Sequence, residues 1–518
     1  MKNNGFENLF KKLFGGENRV VFEMFIKGEK ISIDSVSYRS ITENISANLI
    51  EMSDISGKGG YIGIKMQNSP YMYAVIFASM MSGFSPLLID VRSSEKQCSE
   101  LLAEAKATSI ITDKAGAFGE GVSVIEASKL YEPCSAPTEP CWNNEIAFST
   151  SGTTGKSKII VYDSTSLFYQ VDRTAEFFKN SAAMESALGR DNAEENKFIS
   201  ILPINHILGF TTPLIILDYG FKLIFPPNAA ISSIIKTIAE ERVWGCIGVP
   251  MFWQTLYNLL MSRMGCITSE TVKAMLGDKF KFMLSGGTKT DNKLRDAFNN
   301  AGMCFTLGYG MTEVGCATML FPSETDCYSE GALYEWYDCI IRKDDGTLSE
   351  NGIGELLIKS DVIFKGYRAN GIFEERESTP EGYYPTGDIF RKDGKVIYFV
   401  GRCKNVIVNS SGENIYIEEL EDHFRGLINY TEMFGIINLG DEPCIVAKVK
   451  SADDISELKS LLTEKNSELP VYMRPCKAVI TTRDLPVTSK GELKKIAVTD
   501  ELLNDESNVE IIFKKDGK

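Results

Sequence analysis

The chain has 518 residues, a length that predicts roughly two to four domains with ample hydrophobic core. Its composition, 43% hydrophobic and 24% charged, is ordinary for a soluble globular protein. The net charge of −15 argues against nucleic-acid binding, which needs a basic face, although local donors in an acidic protein can still bind a phosphorylated ligand.

The spacing of the cysteines and the small number of histidines limit which metal sites and disulfide bonds the chain can form. The twelve cysteines include no C-x-x-C pair, so neither a zinc cluster nor a disulfide framework is indicated, and we expect reduced thiols in a cytoplasmic protein. His206 and His423 are the only histidines, which excludes a larger histidine metal site. The N-terminal stretch MKNNGFENLFKKLF lacks the continuous apolar run of a signal peptide.

The first strongly patterned region runs from residue 62 to residue 112. It predicts strands at residues 62–66, 86–89 and 109–112 and helices at residues 70–81 and 95–105. Residues 71–90 carry no charge until their end, but Ser, Gly and Pro interrupt them, which favours a buried helix and a buried strand over a membrane span. Similar strands recur near residues 197–202, 222–225 and 280–285, and the alternation predicts a parallel sheet with helices on both faces.

The stretch STSGTTGKSK, residues 149–158, follows an apolar run and contains six hydroxyl side chains, two glycines and two lysines. Glycines let backbone N–H groups converge on an anion, hydroxyls donate further hydrogen bonds, and lysine supplies charge. The stretch misses the P-loop pattern because Thr150 stands where that pattern has its first glycine. A phosphate-binding loop of another kind and an ordinary hydroxyl-rich turn both fit it.

Four motifs follow in the second half of the chain. They are YGMTE (residues 309–313), PTGD (385–388), GRCKNVIVNSSGENIYIEELE (401–421) and LPVTSKGELKK (485–495). After residue 352 the chain reads as short β-rich runs, and from residue 417 as a compact α+β tail, with a boundary near residues 400–404.

In this order the motifs resemble those of the adenylate-forming superfamily of acyl-CoA synthetases, luciferases and peptide synthetase adenylation domains. The resemblance extends from about residue 61 to residue 495 and is greatest to acyl- and aryl-CoA ligases, through GENI (residues 412–415). It implies an α/β fold: a large N-terminal domain (residues 1–401) of helix-flanked parallel sheets plus a small β region, and a smaller, mobile α+β C-terminal domain (residues 402–518). The loop departs mildly from the family, with Ser157 at a usual proline and Ile159 at a frequent glycine.

The resemblance also implies the chemistry. A carboxylic acid reacts with Mg²⁺-bound ATP to give an acyl-adenylate, and a thiol then displaces AMP. Thr312 would contact the α-phosphate, Glu313 would hold Mg²⁺, and Lys404 would be the hinge of the C-terminal domain. Residues expected to bind ATP are Thr150, Ser151, Gly152, Thr153, Thr154, Gly155, Lys158, Gly286, Gly287, Tyr309, Gly310, Met311, Thr312, Asp388 and Arg402, and the acid pocket is expected to include His206, Phe210 and Gly308. His423 is expected on the surface of the tail.

One departure concerns the catalytic lysine that ends the family's tail loop, because this chain has Glu492 at that position. A carboxylate there would repel both anionic reactants. Lys490 or Lys494 would then have to supply the cation, or adenylation is impaired. We favour Lys490, since residues two apart in an extended stretch face the same side.

The substrate expectation rests on residues 199–217, which contain no Asp or Glu to pair with an amino-acid ammonium group. A fatty, aromatic or other apolar acid is therefore expected, with coenzyme A as the thiol. A phosphopantetheinyl carrier protein is the alternative acceptor, and a nucleotide-binding module with little turnover is the alternative suggested by Glu492. Apolar residues expected near the acid are Ile207, Phe210, Trp244, Met251, Phe252 and Trp253.

Overall fold

The computed structural model describes residues 4–52, 59–114, 116–134, 139–150, 158–188, 195–287, 290–322, 329–408, 414–487, 493–505 and 507–513. Within them the α-helices are α1 (Gly5–Phe14), α2 (Ser35–Glu51), α3 (Pro70–Met81), α4 (Glu95–Ala105), α5 (Ser164–Lys179), α6 (Ala182–Leu188), α7 (Ile207–Tyr219), α8 (Ile231–Glu240), α9 (Pro250–Met264), α10 (Ser269–Leu276), α11 (Asn292–Asn300), α12 (Ile417–His423), α13 (Ile455–Glu468) and α14 (Asp500–Leu503).

The strands up to residue 319 are β1 (Val20–Ile26), β2 (Glu29–Asp34), β3 (Tyr61–Lys65), β4 (Ser85–Leu88), β5 (Ser109–Thr112), β6 (Ser123–Glu126), β7 (Glu145–Thr150), β8 (Lys158–Asp163), β9 (Lys197–Ile199), β10 (Lys222–Ile224), β11 (Gly245–Gly248), β12 (Phe282–Gly286), β13 (Cys304–Gly308), β14 (Gly310–Met311), β15 (Gly315–Cys316) and β16 (Thr318–Met319). The later strands are β17 (Ala332–Leu333), β18 (Asp338–Arg342), β19 (Leu348–Ser349), β20 (Gly352–Lys359), β21 (Gly366–Ala369), β22 (Ile372–Glu375), β23 (Tyr384–Asp393), β24 (Val396–Arg402), β25 (Val406–Val408), β26 (Asn414–Tyr416), β27 (Thr431–Asn438), β28 (Pro443–Val449), β29 (Lys477–Thr481) and β30 (Val509–Ile512).

The chain divides into two compact units. The first comprises Met1–Asp338, Ile358–Tyr384 and Lys395–Ile397, and the second comprises Cys339–Leu357, Pro385–Gly394 and Tyr398–Lys518. The chain segments of the small β region therefore belong partly to the first unit and partly to the second. The predicted division at residues 401 and 402 stays a prediction.

Two large mixed sheets form the framework of the first unit. One has the strand order β13-β12-β11-β9-β10-β1-β2, and the other has the order β22-β21-β8-β7-β4-β3-β5-β6. In the first sheet β13, β12, β11, β9, β10 and β1 run parallel; in the second, β7, β4, β3, β5 and β6 do. Helices α3 and α7 carry almost no polar face, and both are buried because an all-apolar helix has to be covered on every side.

The second unit contains a sheet of order β27-β28-β29-β30. Helices α12 and α13 supply Leu420, Leu458 and Leu462 to the core beneath it. His423 is half-buried rather than on the surface, because its Nε2 donates a hydrogen bond to the Lys465 carbonyl over 2.7 Å. The predicted α/β class, with parallel sheets in a large unit and an α+β tail, is confirmed.

The helices predicted at residues 70–81 and 95–105 are confirmed at both ends. Ser69 caps α3 with Pro70 at its first turn, and Ser94 and Gln97 form a capping box on α4. Residues 71–90 divide into α3 and β4 as predicted, and within the described residues no helix is long and apolar enough to cross a membrane.

Candidate active site

The YGMTE motif forms a tight hairpin after β13. Strand β14 pairs with β15 through Gly310 and Cys316, which leaves Thr312 and Glu313 in the turn. A Cβ atom at Gly310 would lie 2.1 Å from the Gly315 carbonyl oxygen. Gly315 has φ +77°, and a Cβ there would lie 1.4 Å from Gln170 Nε2. Only glycine fits both positions, so the two glycines determine the conformation of the turn.

Buried tyrosines hold the backbone of this turn. The Tyr162 hydroxyl donates to the Thr312 carbonyl over 2.8 Å, and the Tyr337 hydroxyl donates to the Val314 carbonyl over 2.9 Å. The Phe364 N–H donates to the Glu313 carbonyl over 2.9 Å. With its backbone fixed on three sides, the turn presents the half-buried side chains of Thr312 and Glu313 from a rigid base.

The Glu313 carboxylate is held by a tyrosine from a distant part of the chain. The Tyr367 hydroxyl donates to Glu313 Oε1 over 3.2 Å, and the Tyr384 hydroxyl lies 3.2 Å from the Tyr367 hydroxyl. Burial and the neighbouring Glu313 charge raise the pKa of Tyr367 to about 12, so its hydroxyl keeps its proton at neutral pH. Burial also raises the pKa of Tyr384.

The predicted phosphate loop starts and ends in this neighbourhood. Thr150 pairs with Lys158 across the antiparallel strands β7 and β8, so the two ends of the loop lie side by side. The ammonium group of Lys158 lies 4.9 Å from the centre of the Tyr367 ring, a cation–π distance. Predicted ATP-binding residues Ser151, Gly152, Thr153, Thr154 and Gly155 lie outside the described residues.

A glycine predicted to bind the nucleotide, Gly286, and a glycine predicted for the acid pocket, Gly308, lie at the carboxyl ends of neighbouring parallel strands. Gly286 of β12 is in register with Gly308 of β13, and Tyr309 follows directly. Gly287 has φ +95°, which bends the chain out of the sheet. The Ser285 and Thr290 hydroxyls, 2.8 Å apart, connect the two sides of that bend. Carboxyl ends of parallel strands are the usual position of ligand sites in such sheets.

A narrow apolar crevice, with room for about one water molecule, opens beside these glycines. Its lining residues come from α5, α7, β11, β12, β13, β15 and β16, and they are Thr174, Phe178, Leu208, Thr212, Ile215, Ile247, Leu284, Ser285, Gly286, Gly308, Cys316 and Met319. None of these residues carries a charge. Gly308, which the sequence analysis predicts for the acid pocket, is one of the lining residues.

Phe210 and His206 do not line this crevice. Phe210 is 1% exposed and packs in the core against Tyr73 and Phe148, because it lies on a different side of α7 from Leu208 and Thr212. His206 precedes the first turn of α7, with Nε2 3.8 Å from Asp90 Oδ2. Trp244 and Trp253 are also core residues, and Met251 is exposed.

The predicted ribose-binding residues lie within the second unit. Asp388 is buried, and its Oδ1 lies 3.2 Å from Nε of the half-exposed Arg402. The Asp388 N–H donates to the Thr386 hydroxyl over 3.1 Å, and Gly387 has φ +72°, so PTGD forms a local irregularity within the continuous strand β23. The predicted hinge residue Lys404 lies in a 3₁₀ turn, Cys403–Asn405, directly after β24.

The tail loop is described only at its base. Val487 pairs with Leu493, and the Lys494 N–H donates to the Pro486 carbonyl over 2.8 Å. Lys490 and Glu492 lie outside the described residues. Lys494 therefore belongs to the paired base of the loop.

Tyr162, Tyr367 and Tyr384 were not recognised from the sequence. Tyr367 stands 54 positions after Glu313, and no short motif connects them. The neighbouring strand pattern predicts a β region, but it contains no signal that a tyrosine there contacts the YGMTE turn.

The chain is similar to known proteins over most of its length. The model of a family described as AMP-binding enzyme matches residues 34–368. The chain is 26% identical over 473 residues to a long-chain-fatty-acid–CoA ligase, FadD13, of Mycobacterium tuberculosis, covering 86% of this chain and 88% of that protein. It is 24% identical over 517 residues to a 2-succinylbenzoate–CoA ligase of Bacillus cytotoxicus, covering 94% and 96%.

Solved structures agree on the fold. O-succinylbenzoate coenzyme A synthetase (MenE) from Bacillus subtilis, in complex with ATP and magnesium ion, matches with a TM-score of 0.74 and 20% identity, covering 97% of this chain and 100% of that chain. ATP-bound MatB from Rhodopseudomonas palustris matches with a TM-score of 0.78 and 18% identity, covering 96% and 100%. At these identities the likeness concerns the fold alone.

Proposed function

Because the chain belongs to the AMP-binding enzyme family, we propose that it is a ligase that joins an apolar carboxylic acid to AMP and passes the acyl group to coenzyme A. The observation that carries this proposal is the shared contact of Tyr367 with Lys158 and Glu313. It brings the end of the hydroxyl- and glycine-rich loop next to the carboxylate of the YGMTE turn. A loop for phosphates beside a carboxylate for their metal is what a reaction of ATP requires.

The reaction has two steps. In the first, a carboxylate oxygen of the acid attacks the α-phosphorus of ATP, the bond from that phosphorus to the bridging oxygen breaks, and pyrophosphate leaves. In the second, the coenzyme A thiolate attacks the acyl carbon and AMP leaves. The first step brings two anions together, so the protein has to supply positive charge and fixed hydrogen-bond donors.

The residues of the first unit fit these demands. Residues 150–158 would hold the outer phosphates, with Lys158 at the end of the loop. Tyr309 would stack on adenine beside Gly286 and Gly287, where the lack of side chains allows close approach. Thr312, on its rigid turn, would donate to the α-phosphate. Asp388 and Arg402, which belong to the second unit, are proposed for the ribose hydroxyls, with Asp388 as the hydrogen-bond acceptor.

Mg²⁺ fits the oxygen donors at this turn. Mg²⁺ is usually bound by one or two carboxylates together with substrate phosphates, rather than by a cage of protein ligands. Glu313 offers one half-buried carboxylate, and within the described residues no cluster of three or more His, Cys, Asp or Glu side chains could bind a metal ion by itself. When bound, Mg²⁺ would neutralise phosphate charge, and Glu313 would keep it in place.

The acid is proposed to enter the apolar crevice beside Gly308, which has to widen to admit it because it now has room for about one water molecule. Its described lining offers hydrocarbon, two threonine hydroxyls, one serine hydroxyl and one thiol, but no cation. A second carboxylate on the substrate would be buried there without a partner, at a cost of several kcal/mol. We therefore propose a monocarboxylic fatty or aromatic acid, in contrast to a dicarboxylic acid such as 2-succinylbenzoate.

We expect acid-dependent release of pyrophosphate to identify the substrate class. Purified protein with Mg²⁺-ATP should release pyrophosphate with straight-chain fatty acids or substituted benzoates, and their dicarboxylic counterparts should react with kcat/KM lower by about 10²-fold. Thioester should form only when coenzyme A is added. If no acid gives AMP or acyl-AMP, the proposed ligase activity is wrong; a preference for dicarboxylates would contradict only the assigned crevice.

Leu208→Ala is expected to weaken acid binding specifically. Leu208 is half-buried beside Gly286, and shortening its isobutyl side chain to a methyl group should raise the KM for the acid by about 10-fold, since each buried methylene contributes about 1–3 kcal/mol in such a pocket. The KM for ATP should not change. Leu259→Ala is the matched control, because Leu259 is also partly buried but packs against another cluster of the first unit. Equal effects in both variants would mean general destabilisation.

Glu492 favours a second candidate, a nucleotide-binding module with little turnover. Lys490 is proposed as the replacement cation; the backbone pairing of Lys494 at the base of the loop makes that lysine the weaker candidate. A phosphopantetheinyl carrier protein is a chemically equivalent acceptor. Comparing the rates with coenzyme A and with a carrier that bears a free phosphopantetheine thiol decides between them.

Lys404 is proposed as the hinge about which the C-terminal domain turns between the two half-reactions, because it lies in the 3₁₀ turn after β24.

A further inference from the structure

Tyr367 is placed by strand pairing, not by a loop. Strand β21 runs antiparallel to β8, with Tyr367 opposite Ile160 and Arg368 opposite Ile159. Side chains two apart on a strand share a face, so Lys158 lies on the same face as Ile160 and diagonal to Tyr367. This register explains why the Tyr367 ring lies against the Lys158 ammonium group at 4.9 Å.

The rings behind Tyr367 are packed against one buried phenylalanine. Phe364 lies 5.0 Å from the Tyr367 ring and 5.0 Å from the Tyr384 ring, both in edge-on geometry, and it is not exposed to solvent. Edge-on aromatic pairs at this distance are favourable, and they restrict rotation of the rings. The packing thus restrains the Tyr367 hydroxyl at Glu313 and the Tyr384 hydroxyl at Tyr367.

The hydrogen bonds have one possible direction. A tyrosine hydroxyl has a single proton, and Tyr367 donates it to Glu313 Oε1. In the contact between the two hydroxyls Tyr384 must therefore be the donor and Tyr367 the acceptor. Oε1 of Glu313 thus accepts the hydrogen bond at the end of this chain of donors, which restrains the orientation of the carboxylate group.

On the basis of the proposed function, we propose that Tyr367, backed by Tyr384, is a positioning residue that holds Glu313 in place for the metal ion that accompanies ATP. The Tyr367 ring also faces Lys158, so one side chain sets the distance between the end of the phosphate loop and the metal-binding carboxylate. Partners that orient a metal ligand in this way typically change metal affinity by 10- to 100-fold when removed.

The test measures metal binding directly. Mn²⁺, observed by electron paramagnetic resonance, is titrated into full-length protein saturated with α,β-methylene-ATP, which does not release pyrophosphate. Tyr367→Phe, which keeps the ring facing Lys158, should raise the Kd for Mn²⁺ by about 10-fold or more. Tyr384→Phe should raise it by a smaller factor, because Glu313 keeps its direct partner. High Mg²⁺ should restore most of the adenylation rate of Tyr367→Phe by mass action.

Tyr383→Phe is the matched control. Its hydroxyl donates to Asp338 over 2.6 Å, so this variant also loses a tyrosine–carboxylate hydrogen bond, but one that does not involve Glu313. Its Kd for Mn²⁺ should equal that of the unsubstituted protein. If Tyr367→Phe binds Mn²⁺ as tightly as the unsubstituted protein, with or without a lower melting temperature, the positioning role is wrong. If Tyr367→Phe does not fold, the Tyr384→Phe titration decides in the same way.

The same titration separates this inference from the proposed function. Unsubstituted protein that does not bind Mn²⁺ together with α,β-methylene-ATP would contradict both. Unsubstituted protein that binds them, while all three variants bind them equally well, would contradict the role of Tyr367 alone.

Discussion

Glu313→Gln is expected to slow adenylate formation by about 10²- to 10³-fold, because a bound metal supplies several kcal/mol of charge stabilisation in such reactions and each 1.36 kcal/mol is a factor of ten. Glutamine keeps the shape of the side chain and can still accept the Tyr367 hydrogen bond, so the rigid turn of residues 310–316 should be retained. The loss would come from the missing negative charge. Pyrophosphate release with a fixed acid, measured across Mg²⁺ concentrations, checks this.

A control glutamate distinguishes a local effect from a change in net charge. Glu335→Gln removes the same charge from an exposed side chain of the first unit that pairs with Lys395. Its rate should match that of the unsubstituted protein. A rate for Glu313→Gln within the scatter of this control would mean that Glu313 does not hold the metal.

Lys490→Ala is the second substitution with a large expected effect. Removal of one pre-placed cation that stabilises developing charge costs about 10²- to 10³-fold in rate, so pyrophosphate release should nearly disappear. The thioester step, started from synthetic acyl-AMP and coenzyme A, should be much less affected. A loss confined to the first step would mean that the adenylation cation is missing. A loss of both steps would mean that the variant does not fold.

Two further variants make the test decisive. Lys494→Ala should leave adenylation unchanged, since Lys494 belongs to the base of the loop next to Pro486. In the Lys490→Ala background, Glu492→Lys should recover much of the rate, because it removes a repelling carboxylate and restores a cation at the position where the family has one. Full activity in Lys490→Ala would contradict the assignment, and loss of activity in Lys494→Ala instead would transfer the role to that lysine.

The helix and strand pattern of the first unit could be predicted because its signals are local. Ser69-Pro70 and the Ser94–Gln97 capping box start α3 and α4 at the predicted residues. The glycine of the YGMTE turn, Gly310, could be predicted for the same reason, because it belongs to a short motif and the turn requires glycine there. The motif order then indicated the family that the comparison established.

The lining of the crevice could not be predicted in the same way. Helix α7 is apolar on every side, so hydrophobic periodicity does not show which face meets the core and which meets the crevice. Phe210 was therefore assigned to the acid pocket although it packs against Tyr73 and Phe148. Contacts such as that of Tyr367 with Glu313 depend on the pairing of distant strands, which a single sequence does not specify.

The pairing of β21 with β8 also has a consequence for biosynthesis. The paired residues Tyr367 and Ile160 are about 200 positions apart, which at 5–20 residues per second corresponds to about 10–40 s of translation. During that interval the growing polypeptide has β8 at an open sheet edge, where it can pair with a wrong strand. The strand that covers the edge of β8 is thus synthesised long after β8 itself, and chaperones have that time in which to protect the unfinished edge.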